Sequence, residues 1–321
     1  MIRETLIGLL LWSAAVGFCP AQEDVTEEEA VDVAQTVDSC REAAEAGDAA
    51  AQYEMARCYF TGSGVPASIP KALVWLRKAA EQGLAEAQCN LAECYADGIG
   101  VEADDTEAAR WWVKAARQNH SEAQFRLGVA HLSGQGVRKS NVLGLAWLRR
   151  TAAQRHTEAM FRLALCKVYG VGGECDVAEA VTLFRGAAEQ GHAFASYWLG
   201  FCMLEGAGVA QNQAEAVQHL LRAADGLCDA AAFQLGRCYE RGLGVAADAE
   251  LAFDWYWQAA ENGSAEAQYR LAGFLETGKG CSPNQEKALK WYKKAAEQQH
   301  RAAVKRLEEL QPRKPETNNQ P

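Results

Sequence analysis

Six histidines, eleven cysteines and 42 acidic side chains are the residues of this 321-residue chain whose types suit chemistry. Their spacing decides what they do. His120, His156, His192 and His300 recur at one phase of a 36-residue period. Side chains a full period apart do not share a metal ion, whose ligands sit about 2 Å from it. The four read as turn residues. His131 stands where the preceding unit has Tyr95, and His219 where other units have tryptophan, so both read as structural. The sequence has no HExxH, paired CxxC or GxxxxGK[ST] pattern. Glu86, Glu122, Glu158 and Glu266 also share one phase, at the start of a helix, where a carboxylate favours the positive end of the helix dipole. The chain is therefore read as a non-enzyme, with no catalytic, metal or cofactor residue assigned.

Cys58, Cys94, Cys166, Cys202 and Cys238 also fall in one column. Packed helices lie about 9–10 Å apart, and bridged cysteines need Cα atoms about 4.4–6.8 Å apart. Column neighbours should therefore not bond to each other. Cys40, Cys89, Cys175, Cys228 and Cys281 lie outside the column and are the available partners. Cys166 with Cys175 is the single pairing expected, because Cys175 lies in the loop just past the helix of Cys166. Connectivity otherwise stays open.

The elements that position these residues are repeats. Alanine recurs at 51, 87, 123, 159, 195, 231, 267 and 303, in equal steps. Glycine recurs at 62, 98, 134, 170, 206, 242 and 278, and again two residues later each time. A fixed period of this length marks a solenoid of one supersecondary unit. Each unit reads as a helical hairpin. Residues 49–60 form the first helix, with Ala51, Met55, Ala56 and Tyr59 on its apolar face. The glycine pair stops it, and residues 70–82 form the second helix, with Pro70 in its first turn.

Two columns of tiny residues imply close helix contacts. One runs Ala56, Ala92, Gly128, Ala164, Gly200, Gly236, Ala272; the other runs Ala72, Ala108, Gly144, Ala180, Ala216, Ala252, Ala288. Trp75, Trp111, Trp147, Trp255 and Trp291 share a third column and fill space between hairpins. Seven hairpins span 48–299. Residues 31–47 read as an N-terminal capping helix and 300–310 as a C-terminal one. The polar, proline-containing stretch 311–321 reads as disordered.

Composition agrees with a folded chain: 49% hydrophobic and 23% charged residues exclude disordered and collagen-like classes. The net charge of −10 owes five charges to Glu23, Asp24, Glu27, Glu28 and Glu29, in the acidic linker 22–30. An acidic chain without basic clusters does not suit nucleic acid. Residues 1–21 read as a signal peptide: Arg3, an apolar run from Leu6 to Phe18, and Cys19-Pro20-Ala21 before the cut. The run is too short to span a bilayer. Export to the periplasm or outside the cell follows, or to the lumen of the endoplasmic reticulum in a eukaryote, with no membrane segment left after cleavage. The mature chain is expected to be a monomer.

The Ala-Glu-Ala-Gln, Gly-x-Gly-Val and Lys-Ala-x-x-Trp-Tyr-Lys-Lys-Ala-Ala-Glu-Gln elements, carried best by 48–83 and 264–299, resemble the Sel-1-like repeat family. The resemblance covers residues 48–310. It implies an all-α, right-handed superhelical solenoid related to tetratricopeptide arrays, serving as a scaffold or adaptor. Cysteine-rich members of that family bind or hydrolyse β-lactams. Their cysteine places hold Ala80 and Gln88, or Ala260 and Gln268, here, so those bridges and that activity are not carried over.

In such arrays the first helices line the concave surface, so their non-core places should meet a protein or peptide partner. The early hairpins are polar there. The fifth carries Phe194, Trp198 and Phe201, and the fourth Leu165 and Tyr169. Arg126, Arg162, Arg237, Arg241 and Arg270 share this face and suit carboxylates of an acidic peptide. An exposed aromatic cluster of this kind suggests an interaction patch. The alternative is a tighter local core, compensating for His219 in the tryptophan column. Two other functions stay open: a periplasmic β-lactam hydrolase, and a structural envelope spacer with a featureless inner surface.

Overall fold

A computed structural model describes residues 37–226 and 228–310, and every described element is helical. The expected signal peptide 1–21, the linker 22–30, the first six residues of the expected capping helix 31–47 and the expected disordered tail 311–321 lie outside the described residues. There are sixteen helices in them. Helix α1 covers residues 37–45. Seven hairpins follow: α2 (Ala49–Thr61) with α3 (Ile69–Glu81), α4 (Ala85–Asp97) with α5 (Asp105–Arg117), α6 (Ser121–Ser133) with α7 (Asn141–Ala153), and α8 (Thr157–Val168) with α9 (Val177–Glu189). Then come α10 (Ala193–Glu205) with α11 (Gln213–Asp225), α12 (Asp229–Arg241) with α13 (Ala249–Glu261), and α14 (Ala265–Thr277) with α15 (Gln285–Glu297). Helix α16 (Arg301–Leu310) follows the last hairpin.

The chain divides into two units, one of residues 1–123 with 135–137 and one of 124–134 with 138–321. In the first, each helix from α2 to α5 packs on the next in sequence; in the second, the same holds from α7 to α16. The fold is an all-α repeat solenoid, as the period implies.

Short polar residues start the helices. Asp104, Ser140, Asp176, Asn212, Asp248 and Asn284 each accept a backbone N–H from the first turn of a second helix. Glycine ends most first helices: Gly62 takes φ 77° and donates its N–H to Cys58 O. The second glycine of each pair has a different job from the helix stop read from sequence. A Cβ on Gly208 would sit 2.6 Å from the Val177 carbonyl carbon, and one on Gly244 or Gly280 would strike the carbonyl of Gln213 or Ala249. That glycine lets each loop lie against the start of the previous hairpin's second helix.

The two columns of small residues face each other within hairpins. A Cβ on Gly200 would meet Ala216 O at 2.9 Å, and one on Gly128 would meet Gly144 O at 3.3 Å. Ala56, Ala72, Ala92, Ala108, Ala164, Ala180, Ala252 and Ala272 are fully buried. Of the column tryptophans, Trp111 and Trp291 are buried and the others half-buried. A cation one turn on covers several of them: Lys78 over Trp75 at 4.3 Å, Lys114 over Trp111 at 3.3 Å and Lys294 over Trp291 at 4.0 Å.

At the described junctions, hairpins are joined by residues in the left-handed region. Gly47, Gly83, Gly191 and Gly263 take it without cost, but Arg155 (φ 60°) and Gln299 (φ 63°) hold the same place with a side chain. The exposed Arg155 side chain makes only a 3.8 Å approach to Glu189. Arg155→Gly should therefore raise stability by about 0.5–1 kcal/mol. The urea midpoint of the variant checks this; an unchanged or lower midpoint would show that the turn carries no strain.

Candidate functional site

The aromatic residues of the fourth and fifth hairpins lie on α8, at its C-cap (Tyr169), and on α9 and α10 in the second unit. Trp198 is at their centre. It is half-buried and stacks on the fully buried Phe184 at 5.8 Å and 7°. Tyr169 meets Trp198 edge-on at 6.3 Å, and Phe201 meets it at 6.1 Å. Phe194 is not part of this group. It joins Phe161 at 6.3 Å and His192 at 6.4 Å, one turn earlier along α10. Leu165 is partly buried against the core. The outermost rings are Phe194, 49% exposed, and Tyr169, 47% exposed. So Trp198 ties the patch to the core, while Phe194 and Tyr169 present apolar surface to solvent.

Two further aromatics belong to this network, and sequence reasoning missed them. Phe161 lies 4.4 Å from His192, and Tyr197 contacts both Trp198 and Phe201. Their signal was available: Tyr53, Phe125, Phe161, Tyr197, Phe233 and Tyr269 share one repeat phase.

The five arginines do not act as one basic rim. Arg162 is only 6% exposed, and its Nε lies 2.5 Å from Glu158 Oε1. It is a buried structural cation, which corrects its placement on a partner-facing surface. Arg126 is half-buried on α6 and already engaged. Arg237 bonds Gln234 at 2.8 Å and approaches Glu205 at 3.6 Å. Arg270 lies 3.5 Å from Glu266 and 3.9 Å from Glu240. Arg241 is exposed at the end of α12, two repeats on from Tyr169 at the same phase.

The histidines at hairpin junctions are caps, as their turn position suggests. Nδ1 of His120, His156, His192 and His300 accepts the N–H three residues on, at 3.0–3.3 Å. Accepting at Nδ1 leaves the proton on Nε2. His192 thus donates to Glu158 Oε2 at 3.1 Å, and His300 to Glu266 Oε2 at 2.8 Å. Burial alone would raise the Glu158 carboxyl, but the bond from His192 and the Arg162 charge hold it down at about 2.

The ten described cysteines are free. The pairing expected of Cys166 and Cys175 is not formed. Cys166 is buried with Phe125, Leu148 and Leu163, whereas Cys175 is exposed and donates to Val168 O at 3.0 Å. Buried glutamines are a second feature sequence reasoning passed over. Gln82, Gln118, Gln154 and Gln298 donate to Gln52, Gln88, Gln124 and Gln268 at 2.7–2.9 Å, linking the ends of each hairpin's two helices. Hairpins four to six have Met160, Ser196 and Ala232 at that place instead. Among the described residues, no group of three or more His, Cys, Asp or Glu is placed to hold a metal ion.

The Sel1 repeat model matches seven times, at 49–84, 85–120, 121–156, 157–192, 193–226, 229–264 and 265–300. The chain belongs to the Sel1 repeat family. Among solved structures it is similar to c5321, a protective antigen present in uropathogenic Escherichia coli strains displaying an SLR fold. That match has 32% identity and a TM-score of 0.79, over 85% of this chain and 59% of that one. The chain thus spans well under two thirds of that protein's length. A Sel1 repeat protein from Oxalobacter formigenes matches at 31% identity and a TM-score of 0.65, over 90% of this chain and 83% of that one. No curated protein matches.

Sel1 repeats build a scaffold fold commonly used for protein–protein contact. In this Sel1 chain the Arg162–Glu158–His192 group fixes α8 to the start of α10, below Phe194. Its pH behaviour follows from the lowered Glu158. A carboxyl depressed in the folded state contributes stability above its unfolded value of about 4.3 and loses it as pH falls towards 2. Glu158→Gln should lower stability at pH 6 by about 2 kcal/mol, since it removes the carboxylate charge that faces the buried Arg162 and His192. At pH 2 the variant and the native chain should converge. Urea unfolding at both pH values checks this; an equal deficit at both would remove the carboxylate from the account.

Proposed function

We propose that this protein is an exported Sel1-repeat scaffold that binds a protein or peptide on the first-helix face of its fourth and fifth hairpins. The observation that carries the reading is the half-exposure of two large rings: Tyr169, edge-on to an anchored Trp198, and Phe194, one turn before Trp198 on α10 and against Phe161 and His192. Half-exposed aromatics cost free energy to hydrate and release it when a partner covers them. Their rotamers are restrained by ring contacts on one side, so little ordering remains to be done on binding. Trp and Tyr are frequent hot spots for that reason.

The partner we infer has an apolar or aromatic side chain for the Phe194–Trp198–Tyr169 surface and a carboxylate for Arg241. Arg241 replaces the full set of arginines in this role, since Arg162 is committed to Glu158. Export rests on residues 1–21, whose charge, apolar run and small residues before Gln22 fit a cleaved leader. Packing remains the better account of Trp198 itself, because its ring lies flat on Phe184 in the core.

The test uses residues 22–321 as bait against the extracytoplasmic fraction of the native cell. A Tyr169→Ser, Phe194→Ser variant should lose about 2 kcal/mol or more of affinity for the captured protein. Its melting temperature should stay close to the native value. Equal capture by both baits would sink the binding reading, and an intact Met1 on protein from the native cell would sink export.

A further inference from the structure

We infer that Cys40 and Cys58 form an oxidisable dithiol site, and that joining them clamps the N-terminal capping helix α1 to the first repeat. Cys40 lies on α1 and Cys58 near the end of α2. The Cys40 thiol donates to Ala51 O at 3.4 Å, so its sulfur rests on α2. Ala51, Met55 and Cys58 follow at spacings of four and three, which places them on one face of that helix. Both cysteines pack against the same small cluster, built on Val37, Ala44, Met55 and Val65.

Electrostatics agrees with this placement. Burial, then the nearby Cys58, then Glu54 and Asp48, push the Cys40 thiol above its ordinary value. The repeat pattern supplies a reason for a bond here. The position of Cys40 is filled elsewhere by large side chains: Leu76, Trp112, Leu148, Phe184, Leu220, Tyr256 and Tyr292. The cap has exchanged that packing for a thiol. Terminal units of a solenoid also open first, having a neighbour on one side only.

Accessibility separates this pair from the buried cysteines. Cys40 and Cys58 are both half-buried, so an oxidant can reach them. Cys202, Cys228 and Cys238 also share a cluster, but all three are buried. Cys175 and Cys281 reach solvent, and each bonds a carbonyl of its own hairpin.

The chemistry is thiol–disulfide exchange with a low-molecular-weight disulfide such as glutathione disulfide. One cysteine thiolate attacks it, forming a mixed disulfide and releasing one glutathione thiolate. The second cysteine displaces the other glutathione and closes the Cys40–Cys58 bond. The protein loses two electrons and two protons, and the oxidant is reduced to two thiols. This site goes beyond the binding reading and does not rest on it.

The test is oxidation of the full chain with glutathione disulfide at pH 8, then digestion without reduction and mass spectrometry. A peptide joining Cys40 to Cys58 should dominate. Amide exchange within 37–45 should slow by about tenfold or more on oxidation. Cys40→Ser and Cys58→Ser should each abolish both effects while keeping the native circular dichroism. Glutathione adducts without the joined peptide, a bond to another cysteine, or a joined peptide with unchanged exchange would each overturn the proposal. If either variant lost helical content, the peptide and exchange of the native chain would decide alone.

Discussion

The close approach of two helices across alanine and glycine is the constraint on which the rest of this structure depends. In a hairpin such as α10–α11, even a methyl on Gly200 would crowd the Ala216 carbonyl oxygen, at 2.9 Å. The contact recurs at the same phase in every repeat. Once the two helices of a hairpin are held this tightly, their larger side chains must go elsewhere. The tryptophan column and the aromatic column from Tyr53 to Tyr269 take the space towards neighbouring hairpins. The outward places of the first helix are then free to vary: they are polar in the first hairpins, and Arg162 and Trp198 are drawn inward in the fourth and fifth.

That division of labour explains where function can reside. The fourth and fifth hairpins lack the column tryptophan, having Leu183 and His219, and also lack the glutamine pairs, having Met160 and Ser196. They substitute a network of rings and the Arg162–Glu158–His192 group. A similar exchange occurs at the other end of the chain. Tyr256 and Tyr292 replace the Leu, Trp or Phe of earlier repeats, and their hydroxyls donate to Glu240 and Glu276 at 2.7 and 2.8 Å. Those glutamates also take Lys279 and Arg306. The tyrosine hydroxyls and the Arg162 guanidinium thus each bring a partner with them, since a buried polar group left alone would cost several kcal/mol.

The fold was legible because it is periodic. Helix type, hairpin phase and the small-residue columns all follow from residues that recur at fixed spacing, and helix ends came within a residue of those expected at α2 and α3. The second glycine of each pair was not legible as a contact residue, because a stop and a close approach ask for the same amino acid. Arg162 was misplaced for a related reason. Its column is polar in the first hairpins and exposed at Glu54, and only the burial of Arg162 and its bond to Glu158 show that α8 turns it inward. The buried glutamines were visible as a repeated letter. A repeated Gln reads as surface until its partner 30 residues on is seen to bond it.

The central claim is that the core is set by the small-residue contacts and that the exposed rings are free of it. Urea unfolding of two single variants side by side tests this most directly. Ala252→Trp forces a ring into the contact facing Gly236 and should lose about 1–3 kcal/mol or more. Phe194→Ser alters a half-exposed ring and should stay within about 0.5 kcal/mol of the native chain. A stable Ala252→Trp, or a Phe194→Ser variant that unfolds as readily, would contradict the account.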